Sequence, residues 1–483
     1  MTSAPLWQLS ATDAARSIAA GEVSAEAVTE SHVARLQSVN PALNAIVVDL
    51  SEGALQAARA ADRARGRGET LGSLHGVPVT VKINIDLEGQ ANSNGVVAFK
   101  DNIAPGDSPV VANLKAAGAI ILGLTNTPEF SLRWHTDNPL HGQTFNPWDR
   151  SITPGGSSGG AGASVAAGIG CIAHGNDIGG SLRWPASCNG IATIKPTQGR
   201  IPAFNPSAPA ERPLMAQFMS SQGPLARTVA DVRLGLEVMS RRDARDPWWV
   251  PAPLTGPAPE GPIKVALARS PADLDIDPEI SSLIDRAAGY LSDAGYAVSE
   301  VETPDLSAAW TLWRDLISTE IATLQAPQMR EVGSADFNRA LAGILDQATI
   351  LDGEAYMRAI ALRSRLIRDW LAFLETYPII LAPAAVQPTP PPGADLADAA
   401  TARRIFSNDL RWISALNVLG LPASVAPIGF AGGHPVGAQI IASRFREDLA
   451  LDAAEAIEKR VGVLTHRLRD FDASRWERFE GAA

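Results

Sequence analysis

Between residues 146 and 200 the chain reads NPWDRSITPGGSSGGAGASVAAGIGCIAHGNDIGGSLRWPASCNGIATIKPTQGR, and few folds can accommodate such a stretch. It carries two serine loops flanked by glycine, Gly155-Gly156-Ser157-Ser158-Gly159-Gly160 and Gly179-Gly180-Ser181. The run between them, Ala161 to Ile169, is built almost wholly from small residues and suits a tightly buried helix. Glycine on both sides of a serine lets backbone N–H groups approach a ligand, because no Cβ stands in the way. Several N–H groups converging beside one hydroxyl make a nucleophile with an oxyanion hole next to it. The rest of the chain is expected to be arranged around this stretch.

Upstream, Ser10 and Ser24 are placed to cap two helices, the first ending at Gly21 and the second near Val39. Residues 45–50 read as a strand and 51–65 as a helix that the glycines 66 and 68 end. Leu74 to Lys82 is an apolar, β-branched run closed by a lysine, the pattern of a buried strand. Lysine is rarely buried without a purpose. Taken alone, this one is expected to snorkel its amine to the surface. A helix over 108–117 and strands over 119–124 and 169–174 follow, with a helix over 223–240 closing this half.

From Asp243 to Pro262 six prolines exclude regular structure, so the segment is a connector or a surface excursion. Beyond it, 263–268, 278–295 and 297–302 read strand, helix, strand, a βαβ-type unit. Residues 306–374, with Trp310, Trp313 and Trp370, look like a helical cover laid over a sheet. Strands are predicted over 379–385, 424–428 and 437–441, and helices over 399–419 and 447–460.

The 46% hydrophobic and 19% charged residues supply ample core material. A net charge of −11 with no basic cluster argues against nucleic acid as a partner. Cys171 and Cys188 are expected to be buried free thiols, and histidines 75, 135, 141, 174 and 434 show no metal-ligand spacing. The first residues show no secretory leader, and no apolar run is long enough for a membrane span. A cytoplasmic protein without metal or cofactor is therefore expected.

Lys82 takes on another meaning beside the two serines. Gly76-Val77-Pro78-Val79-Thr80-Val81-Lys82, the loop around Ser157, and Ser181-Leu182-Arg183-Trp184-Pro185 together resemble the amidase signature family of serine hydrolases. The resemblance extends to Asn417–Pro422 and Gly433–Gln439 and is weakest from about 245 to 375. It implies an α/β fold with one large twisted mixed sheet flanked by helices on both faces. Within one domain, 1–483, it divides the chain into N-terminal helices (5–66), a signature core (68–240), the connector (241–262) and a C-terminal α/β part (263–483). It also implies a catalytic triad of Lys82, Ser157 and Ser181, with a cis peptide bond before Ser157.

A serine hydroxyl is a poor nucleophile until a base takes its proton, and lysine serves only when neutral. Burial away from carboxylates lowers its pKa toward that state. In this reading Lys82 accepts a proton from Ser157, which accepts one from Ser181, and Ser181 attacks a carbonyl. The N–H groups of Ile178, Gly179, Gly180 and Ser181 are the expected oxyanion donors. Ser158, Asp177 and Arg183 are expected to support the loops, and Phe130, Trp134, Trp184 and Arg200 to border the substrate. Arg200 could equally cap its own loop.

The chain departs from the family pattern beside the triad, with Ile83 where an acidic residue is usual and Asn176 where a threonine is usual. These positions leave substrate preference open. The expected reaction is hydrolysis of an amide, or of a carbamate as in urethanases, by a monomer or homodimer acting on a small molecule. An amidotransferase-type or non-catalytic subunit working with a partner is the alternative. Gly155-Gly156-Ser157-Ser158-Gly159 also satisfies the G-x-S-x-G elbow of α/β-hydrolases, with His434 as a base. That elbow should follow a buried strand directly, and Thr153-Pro154 precedes this one.

Overall fold

In the computed structural model, which describes residues 4–269 and 273–471, eleven strands form one sheet. They are β1 (Ile46–Asp49), β2 (Pro78–Lys82), β3 (Ile120–Thr125), β4 (Ile172–Asp177), β5 (Ala192–Lys195), β6 (Ser221–Ala226), β7 (Lys264–Leu267), β8 (Ala297–Glu300), β9 (Ile379–Pro383), β10 (Ala423–Ala431) and β11 (His434–Ala442). Their order across the sheet is β1-β3-β2-β4-β6-β5-β10-β11-β9-β7-β8. The sheet is mixed: β2 runs parallel to β3 and β4, and β7 parallel to β8 and β9, while the remaining neighbours are antiparallel.

Side chains that alternate along a strand point to opposite faces, and here both faces are buried. Val265 and Leu267 of β7 join one apolar core while Ala266 joins a second, and Ile379 and Leu381 of β9 are likewise parted from Ile380 and Ala382. The first core takes in the N-terminal helices, the second the tryptophan-bearing helices after Leu306. This is the α/β architecture with helices on both faces that the resemblance implied.

Local chemistry explains most boundaries. Ser10 and Ser24 cap the helices Ala11–Ala20 and Ala25–Leu43 by accepting from the N–H of Asp13 and Ala27. The second helix runs four residues past the expected Val39, carrying Pro41 within its last turn. Residues 223–240 are not one helix. β6 occupies Ser221–Ala226, and the helix begins only at Val229, capped by Thr228. Sequence pattern missed β5 as well, since four residues next to a proline carry little periodic signal. The predicted helix over 399–419 is broken by a π turn, Ile405–Asp409. The proline-rich segment lies against the body: the N–H of Val250 donates to Gly199 O and that of Gly256 to Asp448. Among the described residues no helix is long and apolar enough to cross a membrane, and no cluster of side chains could hold a metal.

Candidate active site

The parallel strands β2 and β4 lie side by side, and their C-terminal ends deliver Lys82 and the stretch leading to Ser181 to the same edge. Lys82 does not snorkel. Its side chain is wholly buried, with Nζ 2.7 Å from Ser157 Oγ, 3.1 Å from Ser158 Oγ and 2.9 Å from Asn176 Oδ1. Outward extension from the strand end is blocked by the serine loop that folds over it. No carboxylate touches the amine among the described residues, so burial pushes its pKa well below the ordinary value, against the opposing charge of Asp177. An amine whose charged form burial disfavours, facing a hydroxyl, is the arrangement a lysine base requires.

Ser157 stands just ahead of the small-residue helix Gly159–Ala166, and the Gly156–Ser157 peptide bond is cis. The two serine loops are tied where the N–H of Ser158 donates to Ser181 O at 3.3 Å. Ser181 is slightly accessible, and among the described residues no hydrogen bond joins its Oγ to Ser157 Oγ. Its hydroxyl is thus the free end of the constellation.

Asp177 organises the second loop. Its carboxylate accepts from the N–H of Gly180 and Leu182, from both Nε and Nη2 of Arg183, and from Asn417. The Asp177–Arg183 pair is completely buried. The guanidinium is completed by Gln439 and Asn417, each 2.7 Å away. The partner charge and these hydrogen bonds hold the Asp177 carboxyl below the usual carboxylate range although burial works the other way. One expectation is corrected here. The Gly180 N–H is given to Asp177 Oδ1 at 2.8 Å and is not free for an oxyanion. The N–H groups of Ile178, Gly179 and Ser181 carry no such internal partner among the described residues.

Glycine is required at both positions before Ser181. A Cβ on Gly179 would lie 2.5 Å from the Trp313 ring, and one on Gly180, at φ +113°, would lie 2.1 Å from Ile413 Cγ2. The loop is also held from above: Trp313 Nε1 donates to Ile178 O at 2.8 Å and Trp134 Nε1 to Gly179 O at 3.1 Å. Phe406 contacts the rings of Trp134, Trp310 and Trp313. Trp134 and Phe406 also line a cavity of about 220 Å³, with Ile344, Leu396 and Ile405 as apolar neighbours and the Arg133–Asp395 ion pair as its polar wall.

The other expected border residues are placed differently. Trp184 is buried, with its Nε1 donating to Trp134 O, so it backs the wall rather than forming it. Phe130 packs on Phe337, its centroid 4.8 Å away. Arg200 is not a substrate residue: it is buried, paired with Glu447 at 2.8 Å, and donates to Ala252 O, stitching the proline-rich segment to the body. His434 pairs with Asp149, and no strand leads directly into Ser157, so the α/β-hydrolase elbow is not formed. Glu129 accepts from the N–H and hydroxyl of Ser334, fastening the loop after β3 to the helical cover. Sequence did not reveal the roles of Asn176, which stood out only as a departure from the family pattern, or of Asn417 and Gln439. The last two were visible as members of the two C-terminal motifs, without a sign of what they hold.

Known proteins resemble the chain over nearly its whole length. The sequence model of the amidase family matches residues 27–451. The chain is 61% identical over 464 residues to an indoleacetamide hydrolase of Bradyrhizobium diazoefficiens, covering 96% of this chain and 88% of that one. It is 34% identical to an acylamidase of Rhodococcus erythropolis, covering 95% and 96%. Among solved structures, a bacterial aryl acylamidase of the amidase signature family superposes with a TM-score of 0.82 at 26% identity, covering 97% of this chain and 99% of that one.

Proposed function

This chain belongs to the amidase family, and from that premise we propose that it hydrolyses the C–N bond of an amide with an aromatic acyl part, through an acyl-enzyme on Ser181. The observation that carries the reading is Lys82: buried, free of carboxylate contact, and 2.7 Å from Ser157 Oγ. With Lys82 as base, Ser157 passes on the proton of Ser181, and Ser181 Oγ bonds to the carbonyl carbon. The N–H groups of Ile178, Gly179 and Ser181 take up the oxyanion, each such donor contributing about 3–4 kcal/mol. The relay then returns the proton to the leaving nitrogen as the C–N bond breaks, and water frees the acid by the reverse route.

Two features support an aromatic acyl group. The indoleacetamide hydrolase is 61% identical over nearly the whole chain, and Trp134, which lines an apolar cavity with Phe406, donates to the carbonyl of Gly179 two residues before Ser181. An aryl carbamate presents the same carbonyl and falls within the reading. The intact triad and the relationship to a hydrolase favour an enzyme over a non-catalytic or amidotransferase-type subunit. The test is a comparison of kcat/KM for indoleacetamide and acetamide. Burying an aromatic side group contributes about 3 kcal/mol, so a preference of at least ~10²-fold is expected. Equal activity on acetamide would overturn the aromatic pocket.

The base also sets the pH dependence. Below the pKa of Lys82 the amine is an ammonium and cannot accept a proton from Ser157. Because burial lowers that pKa, kcat/KM is expected to climb to a plateau as pH rises, with the plateau reached well below the range of an ordinary lysine. An optimum in the acid range followed by decline toward neutrality would rule out this base.

A further inference from the structure

Lys82 has three neighbours, and they are not equivalent. Asn176 Nδ2 donates to Asn84 Oδ1 at 2.9 Å, while Asn84 Nδ2 donates to Asn176 Oδ1 at 3.2 Å and to Ser131 Oγ at 2.9 Å. The two amides thus lock each other's orientation. Ser131 Oγ in turn donates to Asn94 Oδ1 at 2.6 Å, so it is left as an acceptor for Asn84 and the lock is held from outside. Asn176 Oδ1, 2.9 Å from Lys82 Nζ, can only accept. Ser158 Oγ gives its own proton to the backbone oxygen of Asn176 at 3.3 Å and therefore also presents a lone pair to the amine, 3.1 Å away.

A neutral amine has two N–H donors and one lone pair. With Asn176 and Ser158 taking the two donors, the lone pair is left for the third and shortest contact, Ser157 Oγ at 2.7 Å. We propose that Asn176, oriented by Asn84, is a positioning residue that aims the lone pair of Lys82 at Ser157. The inference rests on the reading of Lys82 as the base for Ser181.

Among the described residues the charge that acts on Lys82 is that of Asp177, and His174, on the same strand β4, is itself acted on by the amine. Asp177 is neutralised by Arg183, and burial pushes His174 down to about 3. A new charge at position 176 therefore meets no nearby group ready to absorb it.

The readout is the rate at which a fluorophosphonate labels Ser181 as a function of pH, since it needs no amide substrate. Ser181 Oγ bonds to phosphorus, fluoride leaves, and the serine proton passes to Lys82. Asn176→Asp keeps an acceptor in place but adds a carboxylate at the amine, and should move the alkaline rise of the labelling rate upward by ~1–3 pH units. Labelling near neutrality should then fall at least ~10-fold and recover at high pH. Asn176→Leu keeps the bulk and removes the acceptor; its labelling should fall at least ~10-fold at every pH, without recovery. Thermal melting checks that each variant is folded, and should Asn176→Leu not fold, Asn176→Asp decides alone. Unchanged profiles in folded variants would overturn the inference, as would a wild type that is not labelled at Ser181. If the wild type is labelled with this pH behaviour but hydrolyses no aryl amide, the proposed substrate fails and the positioning role of Asn176 stands.

Discussion

Ser181→Ala is expected to abolish amide turnover, and Ser157→Ala and Lys82→Ala each to lower kcat by several orders of magnitude. In the proposed mechanism Ser181 supplies the oxygen that becomes acylated, and its hydroxyl is the slightly accessible one of the three serines 157, 158 and 181. Ser157 Oγ is 2.7 Å from Lys82 Nζ, so its removal cuts the relay proposed between that amine and Ser181. Groups that act as one relay do not lose activity additively. The double variant Lys82→Ala/Ser157→Ala should therefore be scarcely slower than either single one. Steady-state kinetics on an aryl amide, with melting curves as a control for folding, give the comparison. Substantial activity in Ser181→Ala alongside an inert Ser157→Ala would instead make Ser157 the nucleophile.

The second large effect concerns stability. Arg183→Met should destabilise the fold by about 3–5 kcal/mol, since it leaves a buried carboxylate without its counter-charge. The Asp177–Arg183 pair is fully buried, and the same carboxylate orders the N–H groups of Gly180 and Leu182 on either side of the nucleophile. Activity should vanish with the stability. Arg183→Lys is not expected to rescue it, because one ammonium cannot replace a fork that reaches Asp177, Asn417 and Gln439 together. Urea denaturation measures the loss, and a midpoint within error of the wild type would show that the pair contributes nothing.

The glycines and serines of residues 146–200 could be read as a site because close backbone approach demands glycine, a demand visible in one dimension. Lys82 could not. A lysine ending an apolar strand looks the same whether its amine escapes or is trapped, and only the loop carrying Ser157 decides. Long apolar strands such as β10 and β11 were recognised and then fell short at both ends, since burial on both faces removes the alternation that marks a boundary. β5 and β6 were lost for another reason: they are short and carry prolines beside or within them. Arg200 was ambiguous because a buried ion pair and a substrate-binding arginine look alike until the partner, Glu447, is placed. The Gly180 N–H was misassigned because a carboxylate three residues earlier competes for it.

The clamp on Arg183 orders events while the protein is being made. Lys82, Ser157 and Ser181 have all left the ribosome before half the chain is synthesised. Asn417 and Gln439, which complete the guanidinium, and Trp313 and Ile413, which cover the glycine loop, are translated much later. A nascent chain therefore carries Lys82, Ser157 and Ser181, with Asp177 to order the second loop, before the side chains that cover that loop and complete its clamp exist. The second serine loop is expected to reach its final form only after β10 and β11 have been made and paired beside β5, because Gln439 of β11 is part of the clamp.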